Sequence, residues 1–139
     1  MTQLNELYVS AKDAEALAAM LGSHRRANPF EADASDDLAD LLMEARLVTS
    51  EALPKDRVAM SSTVTYREEP SGAMRTVTLA LPAQADMSAG RISVLSPIGR
   101  ALIGRKRGSV VQVTLPGGRT LNIRILQTGP QPEALRETA

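Results

Sequence analysis

The sequence predicts an α+β fold, in which a short antiparallel helical hairpin precedes a small, mostly antiparallel sheet with one helix. Apolar residues repeat at helical spacing as far as Val48, whereas from Val58 onward they alternate with the two-residue period of strands. Hydrophobic residues make up 43% of the 139 residues, which suffices for a packed core. We therefore expect a helical hairpin over residues 1–52 and a sheet domain over residues 53–139.

Each helix of the hairpin has a recognisable start. Ser10 is placed as the N-cap of the first helix, with Asp13 completing a capping box, and Gly22 is placed as its end. The polar stretch that follows would be a loop carrying an exposed His24. Asp33 or Ser35 would cap the second helix. Its apolar stripe comprises Leu38, Leu41, Leu42, Ala45 and Val48.

The sheet domain is predicted from alternation and turn residues. The segments with strand character are 58–66, 76–81, 91–95, 110–115 and 121–125. Ser96 and Pro97 have the residue types of an N-cap and first helical position, so they predict a short helix that ends at Gly104. Residues 116–118, Pro-Gly-Gly, predict a hairpin turn, and the chain after Gly129 is expected to fray.

The composition excludes several classes of enzyme and binding protein. The chain has no Cys and one His, which excludes thiol catalysis, thiolate zinc sites and paired-histidine chemistry. Its aromatic residues are Tyr8, Phe30 and Tyr66, too few for a base-stacking platform. No nucleotide-binding or hydrolase motif occurs, no apolar run could span a membrane, and no secretory signal is visible. We therefore expect a cytoplasmic binding protein without catalytic residues, metal or cofactor.

The zero net charge conceals an asymmetry between the two halves. Residues 1–53 contain four basic and ten acidic residues, whereas residues 54–139 contain twelve basic and six acidic ones. The first part therefore has a net charge of −6 and the second a net charge of +6. Such an asymmetry indicates either an interaction surface or two solvated faces of opposite sign.

Two charged clusters are candidate sites. The acidic cluster, near the predicted hairpin tip, comprises Glu31, Asp33, Asp36 and Asp37. These carboxylates could hold a divalent cation. They could instead complement the dipole at a helix N-terminus, and this second interpretation fits better. The basic one is the run Arg105, Lys106 and Arg107, with Arg100 about one turn earlier. It could meet phosphates or an acidic protein, or it could be a solvated helix end. The scarcity of aromatic residues favours a protein partner over nucleic acid.

The segment 91–104, together with 110–118, resembles the C-terminal domain of the bacterial Gre transcript-cleavage factors. It is still more similar to the related regulator of nucleoside diphosphate kinase (Rnk) family. Residues 53–64, 78–83 and 131–133 extend the resemblance to roughly 53–133. The resemblance implies an FKBP-like C-terminal domain and an N-terminal coiled coil. It also implies a partner, bacterial RNA polymerase, bound at the entrance of the secondary channel. We expect the protein itself to be a monomer.

The resemblance also implies which residues contact the polymerase. In the Gre family the C-terminal domain grips the polymerase through the Ser-Pro turn and the residue before it. These positions correspond here to Leu95, Ser96 and Pro97, and we add the adjacent Ile98 and Arg100. Gre factors usually carry Asp or Asn where this chain has Leu95, whereas the Rnk relatives have an apolar residue, so this position favours the Rnk side.

The length and the tip residues of the hairpin distinguish a polymerase-binding regulator from a transcript-cleavage factor. Gre factors reach the polymerase active site with a long coiled coil, whose acidic tip helps to position the catalytic magnesium. An arm of about 20 Å is short for that reach, and the Gre tip motif has no evident match here. We therefore expect a polymerase-binding regulator without cleavage activity. The alternatives are a Gre-type cleavage factor, an FKBP-like adaptor or a prolyl isomerase. An isomerase needs an apolar pocket lined by aromatic residues, and Tyr66 is the single aromatic residue of the C-terminal part, which argues against it.

Overall fold

The computed structural model describes residues 7–27, 32–69 and 71–130, and the predicted mixed α+β fold is confirmed. The N-terminal part contains β1 (Tyr8–Ser10), α1 (Ala11–Ala27), α2 (Ala32–Glu44) and β2 (Arg46–Val48). The sheet part contains β3 (Ser62–Glu69), β4 (Met74–Ala80), β5 (Arg91–Ser93), α3 (Pro97–Leu102), β6 (Val110–Thr114) and β7 (Thr120–Pro130).

The main sheet has five strands in the order β5-β4-β3-β7-β6. The pairs β3–β4, β3–β7 and β6–β7 are antiparallel, whereas β4 and β5 run parallel. The turn predicted at 116–118 is present, and Gly117 and Gly118 both have the positive φ that this tight connection requires. The predicted mostly antiparallel sheet is thus confirmed.

A hydrophobic core joins the helices to the sheet. Leu17 and Leu38, one from each helix, are fully buried in the same cluster as Val64, Leu79 and Ile123 of the strands. Leu38 was predicted as part of the apolar stripe of the second helix, and its burial agrees with that prediction. Because these leucines are shared with the sheet core, both helices are held against the sheet part.

The first helix is longer than predicted. Ser10 does cap it, since its Oγ accepts from the Asp13 backbone N–H at 3.0 Å. The reciprocal bond of a capping box, from the Ser10 N–H to the Asp13 carboxylate, is not found among the described residues; the carboxylate accepts from the backbone N–H of Met60 at 3.0 Å. The helix passes through Gly22 to Ala27, so His24 is helical and half-buried rather than an exposed loop residue.

The second helix also differs from its prediction at both ends. Asp33 and Ser35 were placed as caps, but both lie inside α2, which starts at Ala32. Val48 was placed on the helical stripe, but it ends β2, a strand that pairs in parallel with β1. β1 itself was not predicted, because three residues carry too little periodicity to be recognised.

Smaller differences concern the strand ends. Val58 was predicted to lie in the first strand of the sheet, yet β3 begins at Ser62. Val58 is instead buried in the preceding loop, where its N–H donates to the Arg105 carbonyl at 2.9 Å. The predicted frayed tail after Gly129 lies, from residue 131 onward, outside the described residues. Within the described ranges, no helix combines the length and apolar character needed to cross a membrane.

Candidate functional site

The turn at Ser96 and Pro97 is built by local hydrogen bonds. Ser96 Oγ accepts from the Gly99 N–H at 3.1 Å and donates to the Ser93 carbonyl at 2.7 Å. Pro97 occupies the first helical position, where its missing N–H costs no hydrogen bond. The predicted cap and helix start are confirmed, and the turn is fixed relative to β5.

Gly99 allows α3 to lie directly on β5. A Cβ atom at this position would stand 2.0 Å from the Ser93 carbonyl oxygen and 2.9 Å from the Val94 Cα. Both obstacles are backbone atoms, so neither can yield without moving the strand. Glycine is therefore required here by contact, although its backbone does not need a positive φ.

The predicted contact residues do not share one surface. Ser96, Pro97 and Ile98 line a groove of about 720 Å³ between α3, β4 and the segment before β5. Leu95 is 6% exposed and packs in the core. The Arg100 guanidinium donates to the Leu95 carbonyl and lies 3.9 Å from the Asp37 carboxylate of α2. Leu95 thus supports the turn from beneath, while Arg100 connects it to the acidic helix.

The groove has an apolar surface with methionines at its rim. Met74 and Met87, 62% and 79% exposed, both line it, together with Val77, Pro97 and Ile98. Methionine side chains are flexible and polarisable, so such a surface adapts to an apolar partner. Neither methionine was predicted as a site residue, because Met74 precedes the alternating part of β4 and Met87 lies in a short turn before β5.

Two ion pairs border the groove. Arg75 Nε lies 2.7 Å from Glu68 Oε2, and Arg91 lies 3.7 Å from the Asp86 carboxylate. The hydrogen bond from Ser88 lowers the pKa of Asp86, so this carboxylate stays charged. Each cation is paired with an anion, so the border has charge contrast but little net charge.

Tyr66 is the aromatic residue among those that line the groove. Burial, followed by the nearby Glu68 carboxylate, raises the pKa of its phenol above the usual value of 10. The phenol is therefore neutral over the whole physiological range. It contributes an uncharged polar group to a mostly apolar surface.

The acidic cluster is only partly described. Glu31 lies outside the described residues, whereas Asp33, Asp36 and Asp37 are exposed on α2. Asp33 lies in the first turn, where a negative charge complements the helix dipole. In the part of the chain that the structure describes, no group of three or more His, Cys, Asp or Glu side chains is arranged to hold a metal ion.

The basic cluster is tied to the loop that precedes the sheet. Val58 N–H donates to the Arg105 carbonyl at 2.9 Å, and Arg107 N–H donates to the Asp56 carbonyl at 2.8 Å. Burial lowers the pKa of the Arg105 guanidinium, although it remains far above neutrality. Lys106 and Arg107 are exposed. The run is thus an ordered surface joined to residues 56–58.

This surface lies in a part of the chain that is similar to known proteins. The family described as transcription elongation factor, GreA/GreB, C-term matches residues 53–129, which include the Ser-Pro turn, the groove and the basic cluster. Transcription elongation factor GreA of Leuconostoc mesenteroides is 34% identical over 122 residues, covering 88% of this chain and 68% of that protein. The regulator of nucleoside diphosphate kinase of Escherichia coli K12 is 36% identical over 100 residues, covering 72% and 74%.

A solved structure agrees with these matches. The GreA/GreB elongation factor from Nitrosomonas europaea superposes with a TM-score of 0.69 at 34% identity. The superposition covers 89% of this chain and 98% of that one, so it includes the helices as well as the sheet.

Proposed function

The chain belongs to the GreA/GreB family of transcription elongation factors, and we propose that it regulates transcription by binding bacterial RNA polymerase at the secondary channel. The observation that carries this proposal is the rigid Ser96–Pro97 turn beside an adaptable apolar groove. In the resemblance described above, this turn is the part of the domain that grips the polymerase. The FKBP-like domain over 53–139 and the coiled coil over 1–52 belong to the same proposal.

The groove supplies the contact surface in this proposal. Pro97, Ile98, Met74 and Met87 offer apolar area that is already exposed, and the ion pairs at its border orient a partner by charge contrast. Leu95 supports Ser96 from the core and is not itself a contact residue. Lys106 and Arg107 add positive charge for an acidic surface of the polymerase.

Binding to core RNA polymerase tests the proposal, with Met87→Glu as the main variant. Met87 is 79% exposed, so a charge there should leave the fold intact while it opposes burial of the groove. We expect at least about tenfold weaker binding, a change worth about 1.4 kcal/mol. Met43→Glu is the matched control, because Met43 is 84% exposed on α2, away from the groove lining. Wild-type affinity of Met87→Glu would overturn the assignment of the groove.

We also propose that binding occurs without transcript cleavage. α1 and α2 contain 17 and 13 residues. At 1.5 Å per residue they are about 26 Å and 20 Å long. Leu17 and Leu38 are buried in the core that also contains sheet residues, so part of this length is held in the core and the reach of a hairpin tip is shorter still. The expected role is occupation of the channel entrance in competition with cleavage factors.

A Gre-type cleavage factor is the second candidate, and the exposed carboxylates of Asp33, Asp36 and Asp37 favour it. Backtracked elongation complexes separate the two functions. We expect the wild-type protein to bind them without accelerating cleavage. Accelerated cleavage that is lost in the double variant Glu31→Ala/Asp33→Ala would establish the second candidate instead.

A further inference from the structure

A second cleft lies where the segment between the helices and the sheet passes the end of β7. Its volume is about 770 Å³, within the range typical of small-molecule sites. Residues from 50–62 form one side, and Thr128 and Gly129 of β7 form the other. It shares no lining residue with the groove beside the Ser-Pro turn.

The lining of this junction cleft is cationic and rich in hydroxyl groups. Lys55 and Arg57 supply two positive charges, and the hydroxyls come from Ser50, Ser61, Ser62 and Thr128. No carboxylate belongs to the lining among the described residues. Asp13 approaches Met60 at the border, but it already accepts the Met60 N–H at 3.0 Å.

The cationic side of the cleft is held in place by the surrounding fold. The Arg57 guanidinium lies 4.1 Å from the centre of the Tyr8 ring, and its Nη1 donates to the Gly104 carbonyl at 3.2 Å. Arg57 also forms a β-bridge with Lys106, so the exposed basic cluster continues from the cleft. Arg57, held in this way, and the exposed Lys55 are the two cationic residues of the lining, and such residues are suited to anionic oxygen atoms.

Two of the hydroxyl-bearing residues in the lining, Ser61 and Thr128, have features that point to a ligand. Ser61 has φ of +68°, the one non-glycine residue with positive φ among those described, and such strain commonly persists where a site needs it. The Thr128 hydroxyl is buried with no hydrogen-bond partner. A buried hydroxyl without a partner costs free energy that a bound group could recover after a small movement.

We propose that the junction cleft binds the phosphate group of a small phosphorylated molecule. Two cations and four hydroxyl residues offer more donors than the two oxygens of a carboxylate can use, whereas a phosphate presents three oxygens and a larger charge. Leu53 and Met60 leave an apolar part of the lining for the rest of the ligand. The cleft is separate from the groove proposed for polymerase docking, with which it shares no lining residue.

Titration calorimetry of the full chain with inorganic pyrophosphate tests the proposal. We expect saturable binding at one site, and weaker binding of citrate, a carboxylate of similar charge. Lys55→Ala should weaken pyrophosphate binding by at least about fivefold, since one of two cations is lost. Ser61→Gly should weaken it too, while retaining the positive φ and therefore the fold.

Arg119→Ala, at the exposed β6–β7 turn, is the matched control for general charge effects. Equal weakening by Arg119→Ala and Lys55→Ala would overturn the proposal, as would tighter binding of citrate or no saturable binding of pyrophosphate. Lys55→Ala should bind core RNA polymerase like the wild type, which separates this site from the proposed docking function.

Discussion

Gly99 determines the geometry of the Ser-Pro turn more than any polar contact does. Ser96 supplies one cap hydrogen bond, and loss of such a bond costs about 1 kcal/mol. Any side chain at Gly99 instead collides with the backbone of Ser93 and Val94. The position of α3 on β5, and hence one side of the groove, therefore depends on this residue.

Gly99→Ala should destabilise the protein by about 2–4 kcal/mol, because the strand or the helix must move to admit the methyl group. Urea denaturation measures this loss. Gly22→Ala is the matched control, since Gly22 lies within α1 with open space around its Cα, and it should stabilise by about 0.5–1 kcal/mol. Equal effects of the two variants would show that helix propensity, not contact, governs Gly99.

The pH dependence of stability should carry a contribution from Tyr66. Burial raises the pKa of its phenol in the folded protein above that in the unfolded chain. Its contribution to stability is therefore complete below pH of about 10 and is lost as the pH rises through the folded pKa. Denaturation between pH 8 and 11 in a Tyr8→Phe background checks this, with Tyr66→Phe as control. A Tyr66→Phe variant that loses stability equally steeply above pH of about 10 would contradict the assignment.

The sequence was most informative about residues whose chemistry is local. Ser96 and Pro97 were recognised as a helix start because a cap and an N1 proline act within four residues. The prediction that α1 ends at Gly22 was wrong, because a glycine inside a helix costs only about 1 kcal/mol and need not end it. Met74 and Met87 could not be recognised as groove residues, since the groove exists only after β4 and α3 are placed side by side.

At the scale of elements, β1 and β2 show what local patterns cannot predict. Each strand has three residues, and each is ordered by pairing with the other across two helices. β1 is also attached to the sheet part, because Tyr8 N–H donates to the Gly104 carbonyl at 3.1 Å. Arg46 N–H donates to the Leu7 carbonyl at 2.7 Å. The same non-local pairing explains why Val48, predicted to be helical, lies in β2.

Gly104→Ala should loosen this attachment. The added methyl group would lie 3.2 Å from Leu7 Cβ and 3.3 Å from a Val9 methyl carbon, at a residue whose φ is +77°. Gly108→Ala is the control, because its φ is +91° but nothing lies within 4 Å. Both should lose about 1 kcal/mol to backbone strain. Only Gly104→Ala should also lose hydrogen-exchange protection at Tyr8 and Arg46; unchanged protection there would contradict a role for this contact.

At the scale of the whole molecule, the acidic and basic halves meet mainly through apolar contact. The ion pair between Arg100 and Asp37 joins α3 to α2, but Asp37 is 63% exposed and the atoms are 3.9 Å apart. Exposed pairs of this kind contribute about 0–1 kcal/mol. The charge asymmetry thus governs which partners each half attracts, whereas the buried leucines of the helices hold the halves together.

Leu38→Ala tests whether the helices and the sheet form one cooperative unit. Leu38 is fully buried in the core that both parts share, so its truncation should cost about 2–5 kcal/mol. Because the lost contacts belong to both parts, far-ultraviolet circular dichroism and the fluorescence of Tyr66, measured in a Tyr8→Phe background, should still report one coincident transition in urea. Leu47→Ala, at a residue 54% exposed in β2, should change stability by no more than about 0.5 kcal/mol. Early loss of the helical signal, with the tyrosine transition unchanged, would instead show that the hairpin folds independently of the sheet. If the hairpin were independent, none of its helical length would be held in the shared core. Its tip could then reach further, which would favour the cleavage function.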